Sequence, residues 1–271
     1  MMATANGRKS IFITGAGSGM GRASALKFAR EGWFVGAFDI TRTGLDSLAN
    51  EIGADNGLFL ELDVTNIAAF ERAMSDFGEA TGGTLDLMFS NAGIGGTPGM
   101  FDELAWDDIM QVVNVNFFGV MIGIRAAIPL LKATPGSLCL VNASSSAIWG
   151  TAGIAVYSAT KHAVRGLVEA LAIELKRYRV RAADLLPGLI DTPILSEGMR
   201  AMAPDEGMWR LVPPPEVADA VFAAYSSDRL HWYIPEELRD FHRQVVNDPE
   251  TVREERTQLA VQMAAMAAQN P

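Results

Sequence analysis

The stretch TGAGSGMG, at residues 14–21, decides the fold of this protein. It follows a β-branched and aromatic run, SIFIT at 10–14, and precedes a segment of helical character at 20–31. Glycines at this density let the backbone turn sharply and come close to a ligand, and the helix that follows presents unpaired N–H groups to an anion. A strand, a glycine-rich turn and a helix in this order predict a binding site for the pyrophosphate of a dinucleotide.

Short apolar runs alternate with longer amphipathic segments along most of the chain. Near-continuous apolar character over a few residues is typical of strands buried on both faces, as in a parallel sheet. The alternation predicts an α/β fold with a single doubly wound parallel sheet of Rossmann type, about seven strands, and helices on both faces. The predicted strands are 10–14, 33–39, 58–63, 85–91, 138–142, 180–186 and 231–234, and the predicted helices are 20–31, 43–51, 67–77, 106–132, 155–178, 216–225 and 249–269.

Composition excludes several classes of protein. The 271 residues include 22 Lys and Arg against 32 Asp and Glu, so the formal net charge is −10. An acidic chain repels nucleic acid and anionic membranes, and we expect neither as a partner. Arg125 and Pro129 interrupt the longest apolar stretch, and the N-terminus has no secretory signal. A single cysteine, Cys139, and three scattered histidines predict no metal site. We expect a cytoplasmic enzyme or small-molecule binder.

Asp39 ends the second predicted strand, 18 positions beyond Gly21. A carboxylate at this point accepts hydrogen bonds from the adenosine ribose diol and repels a 2′-phosphate. Arg42, three residues further on, would soften this discrimination, and a purely structural role for Asp39 as a helix cap is the alternative. The sequence favours NAD over NADP as the cofactor.

Tyr157 and Lys161 open a long predicted helix in the sequence YSATK, and their spacing of four places them on one helical face. A lysine ammonium beside a phenol lowers the pKa of the phenol, which makes Tyr157 a candidate general acid/base. The same pair also arises by chance on amphipathic helices. Three serines at 144–146 distinguish this one, because they follow a predicted strand at the sheet edge where ligand sites form.

The spacing of Gly15, Gly19 and Gly21 differs from G-x-G-x-x-G and resembles the T-G-x-x-x-G-x-G turn of the short-chain dehydrogenase/reductase family. The resemblance covers residues 9–192. The region after Thr192 carries no family motif beyond a helix and a final strand. Its further elements, in chain order, are Asp63-Val64, Asn91-Ala92-Gly93, VNFFG at 115–119, Ser144 with Tyr157 and Lys161, and PGLIDT at 187–192.

The resemblance implies hydride transfer between an alcohol carbon and a nicotinamide, with Tyr157 as general acid/base. Lys161 would lower the pKa of the tyrosine and bind the nicotinamide ribose. Ser144 would hold the substrate oxygen, because it lies 13 residues before the tyrosine as in the family, with Ser145 as the second choice. The implied catalytic residues are Asn116, Ser144, Tyr157 and Lys161.

Asn116 matches the family's asparagine that holds a water molecule in the proton relay to the lysine. Asn114 is the competing position, but the V-N-x-x-G context favours Asn116. A surface role for this asparagine is hard to maintain, because its neighbours in the sequence are almost all apolar.

The resemblance also implies the cofactor contacts. Asp63 would face the adenine amino group, while the backbone at Ile190 and the hydroxyl of Thr192 would hold the nicotinamide carboxamide. The expected cofactor-binding residues are Gly15, Gly17, Ser18, Gly19, Met20, Gly21, Asp39, Ile40, Asp63, Val64, Asn91, Ala92, Gly93, Tyr157, Lys161, Pro187, Gly188, Ile190 and Thr192.

The segment 193–213 corresponds to the part of the family that covers the substrate. We expect one domain over 1–271: a cofactor-binding and catalytic core at 1–192, this lid, and a closing helix, strand and tail at 214–271. An adaptable apolar wall predicts a bulky hydrophobic alcohol or ketone as substrate, although the lid residues also suit packing on the protein's own core. The wall would comprise Ile194, Leu195, Met199, Met202, Met208 and Trp209, extended by Met100, Ile148 and Trp149.

The resemblance implies a homodimer or homotetramer, formed through the helices that carry Asn116 and Tyr157. Two other functions remain as alternatives. One is an NADPH-dependent carbonyl reductase, and the other is a dinucleotide-binding sensor without turnover. Retention of the whole proton relay argues against the sensor.

Overall fold

The computed structural model describes residues 3–269, and only the backbone of residues 262–269. Seven parallel strands form one sheet in the order β3-β2-β1-β4-β5-β6-β7, which confirms the predicted fold class. The strand order reverses between β1 and β4, and ligands bind in the crevice that opens at such a reversal. The strands are β1 (Ser10–Thr14), β2 (Phe34–Asp39), β3 (Gly57–Glu61), β4 (Leu87–Ser90), β5 (Leu138–Asn142), β6 (Arg181–Pro187) and β7 (His231–Ile234).

Helices cover both faces of the sheet because the strand side chains alternate between two apolar clusters. In β1, Phe12 packs with the cluster that includes Phe70 and Val164, whereas Ile11 and Ile13 belong to the cluster on the opposite face. The helices are α1 (Gly19–Arg30), α2 (Arg42–Ile52), α3 (Ile67–Thr81), α4 (Trp106–Val113), α5 (Gly119–Ala133), α6 (Ala155–Glu174), α7 (Glu197–Ala201), α8 (Pro214–Tyr225), α9 (Leu238–Asn247) and α10 (Pro249–Gln269).

The prediction of one uninterrupted α-helix at 106–132 is wrong for the centre of that segment. A π-helical turn at Asn114–Phe118 separates α4 from α5 without breaking the helical path. Such a turn carries one extra residue and is frequent at functional sites. It contains Asn116, which is fully buried.

Two short helices were not predicted, and several element ends differ from the predicted ones by up to four residues. α9 follows β7 and buries Leu238 and Phe241, spaced three apart, on one side. This spacing is a helical signal in the sequence. α7 lies within the predicted lid and buries no residue.

The helical segment Trp106–Ala133 is long and apolar enough to cross a membrane by composition. In this fold, Val120, Ile124 and Leu131 are buried and pack in the core beside the sheet. Core helices of soluble proteins pass the same composition test, so the segment is explained by its packing.

Candidate active site

The glycine-rich turn between β1 and α1 leaves no room for side chains. Gly15 and Gly19 have φ angles of +67° and +51°, a region that favours glycine. A Cβ at Gly21 would lie 2.1 Å from the Gly15 carbonyl oxygen. Ser18 precedes α1 without a capping hydrogen bond from its side chain, so the first N–H groups of the helix lack a side-chain acceptor. The turn therefore fits a pyrophosphate, which those groups would bind.

Asp39 lies beside this turn at the end of β2. Its Oδ2 accepts a hydrogen bond from Gly17 N at 2.9 Å, and its Oδ1 accepts one from Thr41 N at 2.8 Å. The carboxylate thus holds both the glycine turn and the start of α2 in place. Nearby, Arg42 is directed away from the turn, because its Nε donates to Asp46 at 2.8 Å.

The ends of β1, β4 and β5 are joined by side-chain amides at the strand-order reversal. Asn91 Nδ2 donates to Thr14 O at 3.0 Å, and Thr14 Oγ1 accepts from the backbone N–H groups of Asn91 and Ala92. Asn142 Nδ2 in turn donates to Asn91 Oδ1 at 3.0 Å and lies 3.8 Å from Met20 Sδ. Asn142 is missing from the sequence-predicted site, although a polar residue at the end of a buried strand was a signal for it.

Asn116, and not Asn114, is the buried asparagine of the π-helical turn. Its Oδ1 accepts from Ile94 N at 2.9 Å, and its Nδ2 donates to Ile94 O at 2.9 Å. A Cβ at Gly93 would lie 3.2 Å from Asn116 Oδ1 and 3.5 Å from Lys161 Nζ. The absence of a side chain at Gly93 therefore lets the asparagine and the lysine share one wall of the site.

Lys161 is buried in α6, and its Nζ donates to the Asn142 carbonyl oxygen at 2.9 Å. The same nitrogen lies 5.5 Å from the centre of the Tyr157 ring. Burial lowers the pKa of Lys161 to about 8. The lysine side chain therefore lies between the end of β5 and the tyrosine, as the spacing on one helical face predicted.

This burial predicts a pH-dependent stability. The pKa of Lys161 falls from 10.5 to about 8 on folding, so between these values the unfolded chain binds more protons than the folded one. Stability due to this group therefore rises with pH across that window, by roughly 3 kcal/mol in total. The Lys161→Met variant lacks this titration. The free energy of unfolding of the variant minus that of the wild type, measured by urea titration, should therefore become more negative by that amount as the pH rises from 8 to 10.5.

The matched control is Lys176→Met, which changes an exposed lysine beyond the end of α6. Its difference from wild type should stay constant over the same range of pH. A pH-independent difference for Lys161→Met would contradict the burial of a titrating ammonium group.

Tyr157 and Ser144 complete the candidate catalytic group. Ser144 Oγ accepts a hydrogen bond from Ser146 N at 3.0 Å. Burial raises the pKa of Tyr157, and the neighbouring Ser144 hydroxyl opposes this rise. Burial dominates this shift and Lys161 donates to the Asn142 carbonyl oxygen, so the lowering of the Tyr157 pKa by the lysine stays a prediction for the filled site.

The loop after β6 meets the glycine turn, as the expected carboxamide contacts require. A Cβ at Gly19 would lie 3.0 Å from Thr192 Cγ2. Thr192 Oγ1 donates to Ile190 O at 3.3 Å, and Gly188, following Pro187 at the end of β6, donates its N–H to Ile234 O at 2.7 Å.

The three expected contacts at the adenine end lie near the ends of β2 and β3. Ile40 is 70% exposed beside Asp39. Asp63 Oδ1 accepts from Thr65 N at 2.9 Å and from Thr65 Oγ1 at 2.7 Å. Val64 packs against Gly119, where a Cβ would lie 2.8 Å from Val64 Cγ2.

The predicted apolar wall of the lid is divided between two environments. Met208 and Trp209 pack on the core, and the Trp209 ring lies 5.4 Å from the Phe241 ring in an edge-on arrangement. Ile194, Met199 and Met202 remain exposed, at 50%, 44% and 57%. Thus the packing alternative holds for the Trp209 end of the lid, and the exposed residues are the part available to a substrate.

Arg200 ties α7 of the lid to the loop after β6. Its Nε donates to Asp191 Oδ1 at 2.9 Å, and its guanidinium also donates to Thr192 O. The lid is thereby attached directly to a residue expected to contact the cofactor.

A pocket that opens to solvent adjoins Tyr157 between the loop after β4, α4 and the start of α6. The sequence did not predict it, because its walls combine residues 95–112 with residues 154–157, which lie more than 40 positions further along the chain. Its lining includes Gly95, Leu104, Asp108, Ile109, Val112 and Tyr157.

Comparison with known proteins identifies relatives over most of the chain. Residues 9–202 match the short chain dehydrogenase family. Cyclohexanol dehydrogenase of Acinetobacter sp. (strain SE19) is 34% identical over 223 residues, which cover 81% of this chain and 88% of that protein.

Two solved structures resemble this fold closely. A short chain dehydrogenase/reductase from Burkholderia phymatum in complex with NAD has a TM-score of 0.79 at 26% identity, covering 92% of this chain and 95% of that one. The 3-ketoacyl-(acyl-carrier-protein) reductase from Brucella melitensis, complexed with NADH, has a TM-score of 0.76 at 31% identity, covering 83% and 96%. By its sequence match, its fold and these relatives, the chain belongs to the short-chain dehydrogenase/reductase family and is an oxidoreductase.

Proposed function

We propose that this protein oxidises a bulky hydrophobic secondary alcohol to the ketone with NAD, and catalyses the reverse reaction. The observation that carries the proposal is Tyr157, which lines a mainly apolar pocket and has the Ser144 side chain beside it. One group can thus receive a proton at the same place where an apolar substrate can bind.

Tyr157 takes the proton of the substrate hydroxyl as the general base. Ser144 holds the substrate oxygen and stabilises the charge that develops on it. Lys161, Ile190 and Thr192 would hold the nicotinamide, which would supply the hydride acceptor for the carbinol carbon. In the direction of ketone reduction, Tyr157 returns the proton.

Lys161 and Asn116 carry the proton away from the tyrosine. Lys161 binds the ribose hydroxyls of the nicotinamide half, and its ammonium group favours the phenolate of Tyr157 once the site is filled. Asn116 holds a water molecule that links the lysine to solvent. Its two hydrogen bonds to Ile94 keep the amide oriented for this role.

NAD is the proposed cofactor because Asp39, a carboxylate, lies beside the glycine turn, where it would repel a 2′-phosphate. Asp39 would accept hydrogen bonds from the ribose diol, and Arg42, the cation three residues further on, is already bound to Asp46. Exposed Ile40 would offer an apolar surface to the adenine, and Asp63 would face the adenine amino group. The N–H groups at the start of α1 would bind the phosphates.

The proposed substrate class follows from the pocket and from the relatives. The pocket is lined mostly by aliphatic side chains, and the Acinetobacter relative acts on cyclohexanol, an alicyclic secondary alcohol. Residues 193–213 serve as the lid over this substrate, within one domain whose core is 1–192 and whose closing part is 214–271.

We propose a homodimer or homotetramer in the cytoplasm. Exposed apolar side chains on α4, on the π-helical turn and on α6 support the interface. Met110 and Phe118 are each 43% exposed, and Ile173 is 80% exposed. Patches of this kind mark association surfaces in soluble proteins.

The function is tested by following NADH formation over a panel of alcohols. We expect turnover of cyclohexanol and larger alicyclic alcohols with NAD, weak turnover of small polar polyols, and a lower kcat/KM with NADP. The Asp39→Asn variant should raise the NADP/NAD ratio of kcat/KM by about tenfold or more, because it removes the charge that repels the 2′-phosphate.

Asp55→Asn is the control for this variant, because it removes an exposed carboxylate on the loop before β3. It should leave the cofactor ratio unchanged. An unaltered ratio in Asp39→Asn would refute the role of Asp39, and a clear preference for small polyols would reject the hydrophobic substrate.

A further inference from the structure

Asp108 is the one carboxylate in the lining of the pocket beside Tyr157. It lies in the first turn of α4 and is partly buried. Within residues 3–261, it forms no hydrogen bond and no ion pair through its side chain. Its neighbour Asp107 is exposed and does not line the pocket.

The surroundings of Asp108 in the pocket are mainly aliphatic. The lining consists of Leu104, Ile109, Val112, Ile154 and Val156, together with Gly95, Gly96, Thr97 and Tyr157. A carboxylate partly withdrawn from water among such groups loses hydration without gaining a hydrogen bond, which is unfavourable. A donor brought in by a ligand would satisfy it.

The dipole of α4 does not account for this placement. Acidic residues in the first turn of a helix are stabilised by the positive end of the dipole. Asp107 and Asp108 share that benefit, since both lie in the first turn. Only Asp108 is directed into the pocket, so its position there needs a separate reason.

We propose that Asp108 selects substrates that carry a second hydrogen-bond donor, above all cyclic diols. The inference rests on the proposed function and specifies the substrate class of that same site. The carboxylate accepts a hydrogen bond from the second hydroxyl while Tyr157 takes the proton of the reacting one. The reaction balances as diol plus NAD⁺ giving hydroxyketone, NADH and a proton, with the hydride leaving the carbinol carbon.

The test compares cyclohexanol with the 1,2-, 1,3- and 1,4-cyclohexanediols at saturating NAD. In the wild type, kcat/KM for at least one diol should exceed that for cyclohexanol. Asp108→Ala should lower the value for that diol by about 10- to 100-fold, as expected for losing a hydrogen bond to a charged group. The ratio of kcat/KM for that diol to kcat/KM for cyclohexanol should therefore fall by at least about fivefold.

Two further variants separate this role from a structural one. Asp107→Ala removes the neighbouring charge in the same helical turn and should leave the diol preference intact. Asp108→Asn keeps an uncharged acceptor oxygen and should recover part of the preference that Asp108→Ala loses.

Thermal stabilisation provides a readout that does not depend on turnover. With NAD present, the preferred diol should raise the Tm of the wild type more than cyclohexanol does, and Asp108→Ala should remove this difference. Equal responses to diol and cyclohexanol in the wild type would overturn the inference, as would an equal loss for both alcohols in Asp108→Ala. If no alcohol is oxidised but the diol-specific Tm shift depends on Asp108, the proposed function fails and the binding inference stands.

Discussion

Replacing Tyr157 by phenylalanine should lower kcat for alcohol oxidation by about 10²- to 10⁴-fold, the contribution of a positioned general acid/base. The change removes one oxygen atom and keeps the ring that packs beside Val112 and Val156. The phenolic hydroxyl beside Ser144 is lost, and no other tyrosine lines the pocket. Steady-state kinetics at saturating alcohol and NAD measure the effect.

Cofactor binding should distinguish this loss of chemistry from a loss of structure. We expect the Kd for NAD in Tyr157→Phe to stay near the wild-type value, because the variant leaves the glycine turn and Asp39, the proposed sites of pyrophosphate and ribose binding, unchanged. Tyr178→Phe is the matched control: Tyr178 is 36% exposed beyond α6, with Lys132 Nζ 3.8 Å from its ring centre. Undiminished kcat in Tyr157→Phe would remove the tyrosine from the mechanism.

Replacing Gly21 by alanine should damage both the fold and the cofactor site. The added Cβ would lie 2.1 Å from the Gly15 carbonyl oxygen and 2.7 Å from Asn91 Nδ2. A backbone carbonyl cannot rotate away as a flexible side chain can, so α1 or the glycine turn must shift. We expect the free energy of unfolding to fall by at least about 2 kcal/mol. NAD binding should weaken by more than about tenfold, because the N–H groups at the start of α1 move.

Gly166→Ala provides a control with the opposite expected sign. Gly166 lies in α6 with open space around its Cβ position. Alanine there should raise the free energy of unfolding by about 0.5–1 kcal/mol through helix propensity. Chemical denaturation measures the free energy of unfolding of both variants. Calorimetric titration with NAD measures the weaker NAD binding expected for Gly21→Ala. A Gly21→Ala protein as stable as wild type would contradict the close contact with Gly15.

The strands were predictable because a parallel sheet buries both faces of its strands. Runs such as LCLVN at 138–142 are apolar throughout, and this pattern needs no knowledge of their neighbours. The π-helical turn was not predictable in the same way. Its extra residue exists because Asn116 reaches the backbone of Ile94, a contact between residues that lie 22 positions apart in the chain.

The residues of the candidate site also fall into those that local sequence predicts and those that it does not. Motif spacing indicated Tyr157 and Lys161, since residues four apart share a helical face. It did not indicate Asn142, whose carbonyl oxygen accepts a hydrogen bond from the lysine, or Asp108, which shares a pocket with Tyr157 although the two residues lie far apart in the chain. The lid shows most clearly what sequence alone does not predict. Met199 and Trp209 are both apolar, but only Trp209 packs on the core.

The sequence by itself determined the fold class, the glycine turn, the acidic residue at the end of β2 and the position of Tyr157 and Lys161 on one helical face. Each of these depends on local spacing, on glycine's conformational freedom or on the apolar character of a single strand. The tertiary structure decided between Asn114 and Asn116, divided the lid into packed and exposed parts, raised the pKa of Tyr157 and lowered that of Lys161. These depend on burial and on contacts between distant segments, which the order of residues does not contain.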